Sequence, residues 1–265
     1  MLELENLHIT FNKGTINEKP ALCGVDLTLN EGDFLTVIGG NGAGKSTLLN
    51  TIAGVYMADE GSITLDGHNL TKLPDFKRAK YISRVFQDPL LGTASNMNLE
   101  ENLALALKRG KRRGLKWYIS PNDRVAFKEL LMGLDLGLEE RLNQKVGTLS
   151  GGQRQAITLL MASMASPKLM LLDEHTAALD PKTAIKVLNL TQKIVENDKN
   201  LITVMITHNM SDAIKYGNKL IMMDKGRIIY SAEGEEKSNL TVPFLMQKFE
   251  ATVGDGALSD KMLLS

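Results

Sequence analysis

One cysteine stands among 265 residues. Cys23 therefore cannot join an internal disulfide, and the chain is compatible with a reducing cytoplasm. The four histidines and that single thiol nowhere form the close spacing of a zinc site. Basic and acidic residues balance at 31 each, so overall charge gives no argument for a nucleic-acid partner or for a strongly anionic surface. No apolar run approaches the ~18 residues needed to cross a bilayer. The acidic, alternating start Met1-Leu2-Glu3-Leu4-Glu5 is wrong for a signal peptide. Any membrane role must come through a partner. What remains is a chain long enough to bury a substantial core, as one large domain or two small ones.

Against that background one stretch stands out. Gly39-Gly40-Asn41-Gly42-Ala43-Gly44-Lys45-Ser46-Thr47 fits G-x-x-x-x-G-K-[ST], the phosphate-binding loop. A buried-strand pattern (residues 34–38) precedes it and a helical one (residues 48–53) follows, the context that such a loop requires. The glycines let successive backbone N–H groups turn inward around a triphosphate, and the helix start adds partial positive charge. Lys45 is placed to reach the β- and γ-phosphates, and the Ser46 hydroxyl to hold Mg²⁺. The chain is expected to bind a nucleoside triphosphate.

Period-two alternation over Leu2–Phe11 and Val25–Leu29 predicts two half-buried antiparallel strands, separated by a polar loop around residues 12–20. Ser62–Leu65 with the turn Asp66-Gly67 predicts another strand, and Tyr81–Phe86 a short one leading into Gln87. From about Asn98 to Ala165 the pattern is helical, with Leu99, Leu103 and Leu107 at four-residue spacing. Val125, Leu130, Leu131 and Leu134 continue it less regularly. A basic stretch, 108–116, interrupts it and reads as a solvated loop; contact with lipid headgroups or an acidic partner is the alternative. Strands over 169–172 and 201–206 flank a helix over 183–195, and residues 219–224 and 227–231 pair as a hairpin. Beyond Glu235 only Phe244, Leu245 and Phe249 offer an apolar patch, expected to be a packing helix followed by a frayed tail. The methionines read as core filling. The fold class expected is α/β, a mostly parallel sheet covered on both faces.

Two further stretches carry chemistry. Leu172-Asp173-Glu174 ends a buried strand with adjacent acids; Asp173 suits an Mg²⁺-ordering role and Glu174 the base that deprotonates an attacking water. In Thr148-Leu149-Ser150-Gly151-Gly152-Gln153-Arg154-Gln155, Ser150 is a helix N-cap, and the two glycines leave the first-turn N–H groups uncovered. That second anion-binding helix end, beside only one acid pair, implies that the nucleotide lies between two copies of the chain.

With these motifs in place, the chain resembles the ATP-binding subunit of ABC transporters over about Leu2 to Ala232. The resemblance implies a RecA-like P-loop NTPase core with an N-terminal antiparallel β subdomain and an inserted helical subdomain at about 88–165. The ATPase domain would span 1–235, and a packing helix and tail 236–265. It implies ATP and Mg²⁺ as cofactors. Lys45, Gln87, Glu174 and His208 are the implied catalytic residues, and Ser46, Gln87 and Asp173 the implied metal residues. Phe11 (on adenine), Asn41, Gly42, Ala43, Gly44, Lys45, Ser46, Thr47, Ser150, Gly151, Gly152, Gln153 and Asp180 are the implied nucleotide contacts; a core role is the alternative for Phe11. The family usually has proline after the catalytic glutamate. His175 stands there instead, read as a tolerated loop residue, with a titratable group near the γ-phosphate as the alternative. This Glu-His-Thr variant resembles a branch of importer ATPases paired with a separate substrate-binding protein, sometimes for amino acids. The implied partners are a second copy, transmembrane permease subunits and that binding protein, at the cytoplasmic membrane face, and no nucleic acid. A soluble ABC-type ATPase acting on a macromolecular complex and an exporter subunit are the alternatives.

Overall fold

The computed structural model describes residues 1–110 and 119–253, which form two compact units, Met1–Arg78 with Lys199–Ser265 and Ala79–Asp198. Residues 111–116 of the basic stretch and the expected tail beyond Val253 lie outside the described residues.

The first unit carries two sheets. In one, β1 (Leu2–Phe11) pairs antiparallel with both β2 (Lys19–Leu29) and β4 (Glu60–Leu65), and β4 turns through Asp66-Gly67 into β5 (His68–Asn69). The alternation of β1 buries Leu2, Leu4, Leu7 and Ile9 on one face. β2 begins at Lys19, so the expected loop is shorter than residues 12–20. In the other sheet, β3 (Phe34–Gly39), buried along its whole length, runs parallel to β8 (Ile202–Ile206) and β9 (Lys219–Asp224). A tight turn joins β9 to β10 (Arg227–Glu233), with Lys225 and Gly226 both at positive φ, the geometry that suits a two-residue hairpin.

Helix α1 (Lys45–Ala53) follows β3 and stops at Gly54 in the left-handed region. Beyond it, on the short helix α2 (Asp75–Arg78), the buried Arg78 guanidinium donates to the carbonyls of Thr51 and Ile52, both at 2.8 Å. Burial lowers its pKa to about 10. Helices α7 (Met210–Lys215), α8 (Gly234–Ser238) and α9 (Val242–Val253) complete the unit. Leu245 and Phe249 of α9 are buried against Ile38 and Met222, and Phe244 is partly exposed.

In the second unit β6 (Ile82–Val85) and β7 (Leu169–Asp173) are parallel, and α3 (Leu99–Leu107), α4 (Pro121–Met132), α5 (Gly151–Ser163) and α6 (Pro181–Asn197) supply the helices. Asn98, Ser120 and Ser150 each begin a helix with a reciprocal capping box. The core joins Leu99, Leu103, Phe127, Leu131, Leu138 and Ile157. Val125 and Leu130, read from sequence as continuing the apolar face, are exposed. The packed stripe of α4 keeps the expected Leu131 and adds Phe127, one helical turn before it. The expected α/β class, with parallel strands around the phosphate loop and an antiparallel N-terminal sheet, is what the chain adopts.

Candidate nucleotide site

The phosphate loop is shaped by glycine where nothing else fits. Gly39 has φ 150°, and a Cβ there would collide with the carbonyl oxygen of Met223; Gly44 has φ 102°, with Ala21 O 2.7 Å from the position of a Cβ. Gly44 precedes α1 without a side-chain cap, and the first turn of α1 carries no acid. Its amides and partial positive charge are therefore directed to an anion rather than to the protein's own side chains. Lys45 is only 5% exposed and donates from Nζ to the carbonyls of Gly39 (2.7 Å) and Gly40 (2.9 Å). The ammonium is thus held at the centre of the loop, and Ser46 beside it is exposed. Phe249 of α9 supports the loop from below, its ring 3.2 Å from where a Gly40 Cβ would stand. Sequence reasoning missed this contact, since Phe249 lies about two hundred residues away.

Parallel pairing brings the other groups of each unit to the carboxyl ends of strands, where open α/β sheets bind ligands. In the first unit Val37 pairs with Ile206, so His208, two residues beyond β8, lies at the same sheet end as the phosphate loop. The Thr207 amide donates to Val37 O at 3.2 Å, and Asn209 caps α7, fixing the turn that carries His208. Phe11, half-buried at the end of β1, sits edge-on to Tyr56 with ring centroids 5.2 Å apart; it is not a core residue.

In the second unit Val85 pairs with Leu172, which sets Gln87 and the Asp173-Glu174 pair at neighbouring strand ends. Asp173 accepts from Arg84 Nη2 at 2.8 Å. Glu174 has φ 47°, an unfavourable conformation for a non-glycine residue and one found at functional turns. The chain reverses there, so Glu174 leaves the strand's alternation and can share a side with Asp173. His175 lies in the loop after β7 and is only 2% exposed. The Thr191 hydroxyl donates to Val187 O at 2.9 Å, leaving its oxygen to accept from His175 Nε2 at 3.0 Å. Burial holds the imidazole pKa down at about 4. The structure therefore makes His175 a neutral anchor of the acidic turn to α6.

Ser150 accepts from the Gln153 amide at 3.3 Å while Gln153 Oε1 accepts from Ser150 N at 3.2 Å. Gly151 is exposed at the helix start. Gly152 has a second reason for being glycine: a Cβ there would collide with Thr183 of α6. Asp180 caps α6 through the Thr183 amide at 3.1 Å, and its hydrogen bonds with Thr183 hold its carboxyl below the usual range.

Ser46 in the first unit, and Gln87 and Asp173 in the second, carry hydroxyl, amide and carboxylate oxygens, the donor types a hard divalent cation prefers. Among the described residues no three His, Cys, Asp or Glu side chains converge as a metal cluster.

A phosphate loop on a parallel sheet, with strand-end acids on its companion unit, defines a P-loop nucleoside triphosphatase. The family model for the ABC transporter matches residues 22–177. The tyrosine transport ATP-binding protein of Clostridioides difficile (strain R20291) is 46% identical over 253 residues, covering 96% of this chain and all of that protein. The spermidine/putrescine import ATP-binding protein PotA of Haemophilus influenzae is 32% identical over 96% of this chain, which spans 65% of that protein's length. A solved dimer of the ATP-binding cassette MJ0796, in a post-hydrolysis state bound to ADP and Pi, is 31% identical with TM-score 0.74. It covers 88% of this chain and 98% of its own. The chain belongs to the ABC transporter family and is an ATP-binding, ATP-hydrolysing cassette. Among the described residues no helix is long and apolar enough to cross a membrane.

Proposed function

We propose that this chain energises solute import, with two copies closing over two ATP molecules. In this reading Asn41–Thr47 wrap the phosphates and Phe11 stacks on adenine. One protomer offers Lys45, Ser46, Gln87, Asp173, Glu174 and His208, and its partner offers Ser150, Gly151, Gly152 and Gln153 to the same nucleotide, with Asp180 at the seam. Water attacks the γ-phosphate in line, Glu174 takes its proton, and His208 donates to a γ-phosphate oxygen. Loop amides and Lys45 stabilise the charge developing on the transferring phosphoryl. Mg²⁺ held by Ser46, Gln87 and Asp173 would neutralise phosphate charge.

Closure needs the γ-phosphate to bridge both halves, so hydrolysis reopens the dimer and moves a permease at the cytoplasmic membrane face. One ATPase domain, 1–235, does this, with the helical subdomain at about 88–165 inserted. The observation that carries the nucleotide reading is the phosphate loop, a glycine-shaped turn around Lys45 that opens a helix with neither cap nor acid. Import is supported by the names of the relatives. A separate binding protein for an amino-acid solute is supported by the one named for tyrosine transport. Co-expression with the genes that flank its own tests this: the chain should purify from detergent with a polytopic membrane protein whose presence stimulates ATP hydrolysis. Recovery with ribosomes or nucleic acid and no membrane subunit would overturn it.

A further inference from the structure

Arg84 was not singled out in the sequence, yet it joins three parts of the second unit. Its Nη2 lies 2.8 Å from Asp173 Oδ2, and each side chain is only 15% exposed. Register produces the pair: Arg84 stands opposite Leu171 on the parallel partner strand, two residues short of Asp173. A side chain leaning along its strand spans that offset. The guanidinium also lies over the Phe86 ring, 4.6 Å from its centroid. The Phe86 carbonyl accepts from Gln155 Nε2 of α5 at 3.2 Å. Arg84 further forms part of the wall of a cavity of about 460 Å³ with Asn102, Lys108, Thr158 and Met161.

A carboxylate this sheltered is costly without a positive partner. A divalent cation is one such partner, and the guanidinium is another, already built into the neighbouring strand. We propose that Arg84 is the standing counter-ion of Asp173, holding the carboxylate toward the strand end until a metal–nucleotide complex arrives and takes over part of that charge. The assignment rests on the reading of Asp173 as a metal-holding residue. Two opposed consequences follow from one side chain. Arg84 stabilises the metal-free protein, and it weakens metal binding, because the cation must compete with it for the same carboxylate. Arg84 is thus a positioning residue and not a catalytic one.

The test combines Arg84→Gln and Asp173→Asn, singly and together, with Arg84→Lys as the variant that keeps the charge but loses the planar fork. Thermal unfolding is followed with ATP in EDTA and then across a Mg²⁺ titration, and Mn²⁺ binding to the ATP-loaded protein is read by electron paramagnetic resonance. In EDTA each single variant should lower the midpoint, and the double variant should be no worse than the poorer single. The Arg84→Gln deficit should shrink as Mg²⁺ is added, and Mn²⁺ should bind that variant about fivefold more tightly than the native chain. Arg84→Lys should fall between, and it carries the comparison should Arg84→Gln not fold. Additive deficits in EDTA, or a deficit equal at every Mg²⁺ concentration, would overturn the assignment. Native Mn²⁺ affinity in Asp173→Asn would instead overturn the metal-holding reading itself, and the counter-ion role with it.

Discussion

The two units hold their chemistry by different means. In the unit built from Met1–Arg78 and Lys199–Ser265, the backbone makes the site: glycines at positive φ, an uncapped helix start, and a lysine gripping the carbonyls of its own loop. In Ala79–Asp198 side chains take a larger part, bonded to one another or to nearby backbone amides. Arg84 pairs with Asp173, Thr191 bonds His175, and Ser150 and Gln153 each accept from the other's backbone amide. A site of amides binds phosphate whatever the neighbouring side chains do, whereas a site of paired side chains is selective about geometry and easily detuned.

The largest effect expected from breaking that contrast is at Glu174. Glu174→Gln should lower hydrolysis by about 10²–10⁴-fold, the usual worth of a positioned base, while ATP binding measured by calorimetry stays native. Near-normal turnover would remove Glu174 from the role of base. Lys45→Ala should act in the opposite sense, weakening ATP affinity by roughly tenfold to a hundredfold, the worth of a charge-assisted hydrogen bond or two. Unchanged binding in the same calorimeter would contradict the cradle.

The glycines sharpen the comparison because both units contain one that tolerates no Cβ. Gly39→Ala strains the loop itself and should reduce both stability and ATP binding. Gly152→Ala forces α5 away from Thr183 and should cost about 1–3 kcal/mol in urea unfolding, as overpacking does; ATP affinity of the dilute, monomeric chain should be retained, because in the proposed dimer Gly152 meets only the nucleotide held by the partner. Loss of affinity in Gly152→Ala equal to that in Gly39→Ala would erase the distinction drawn between the units.

The smallest effect is one of pH. The unfolded chain protonates His175 near 6.5, whereas the folded chain resists until about 4. The neutral, buried form therefore contributes fully above about pH 6.5. That contribution is lost as pH falls toward 4, because the unfolded state then binds the extra proton. Denaturant midpoints should fall over that interval, and His175→Asn should flatten the fall. An identical pH profile in the variant would place the acid sensitivity elsewhere.

How much of this was legible follows from the same contrast. The phosphate loop, the strand-end acids and the Ser150 helix start are contiguous runs whose spacing is itself the chemistry, so they can be read before folding. The α/β order was legible for the same reason, since β3, β7 and β8 are continuous apolar runs. Helix α7, at six residues, is too short to show a period, and on α4 the exposed Val125 and Leu130 were read beside the buried Leu131 while Phe127, one turn before it, was passed over. Arg84 with Asp173 and Phe249 beneath Gly40 were out of reach. Each depends on register between strands, or on a distant helix, and neither leaves a local pattern. His175 was noticed only as a departure from proline; its hydroxyl partner, sixteen residues on along α6, explains why histidine can stand there.

The central claim is that ATP is gripped from two molecules at once. A crystal structure of the Glu174→Gln chain with ATP and Mg²⁺ tests it most directly. The expected result is a two-fold dimer in which each γ-phosphate lies between Lys45 of one protomer and the Ser150 helix start of its partner. A nucleotide-loaded structure in which Ser150 is far from every phosphate, in every copy, would contradict it.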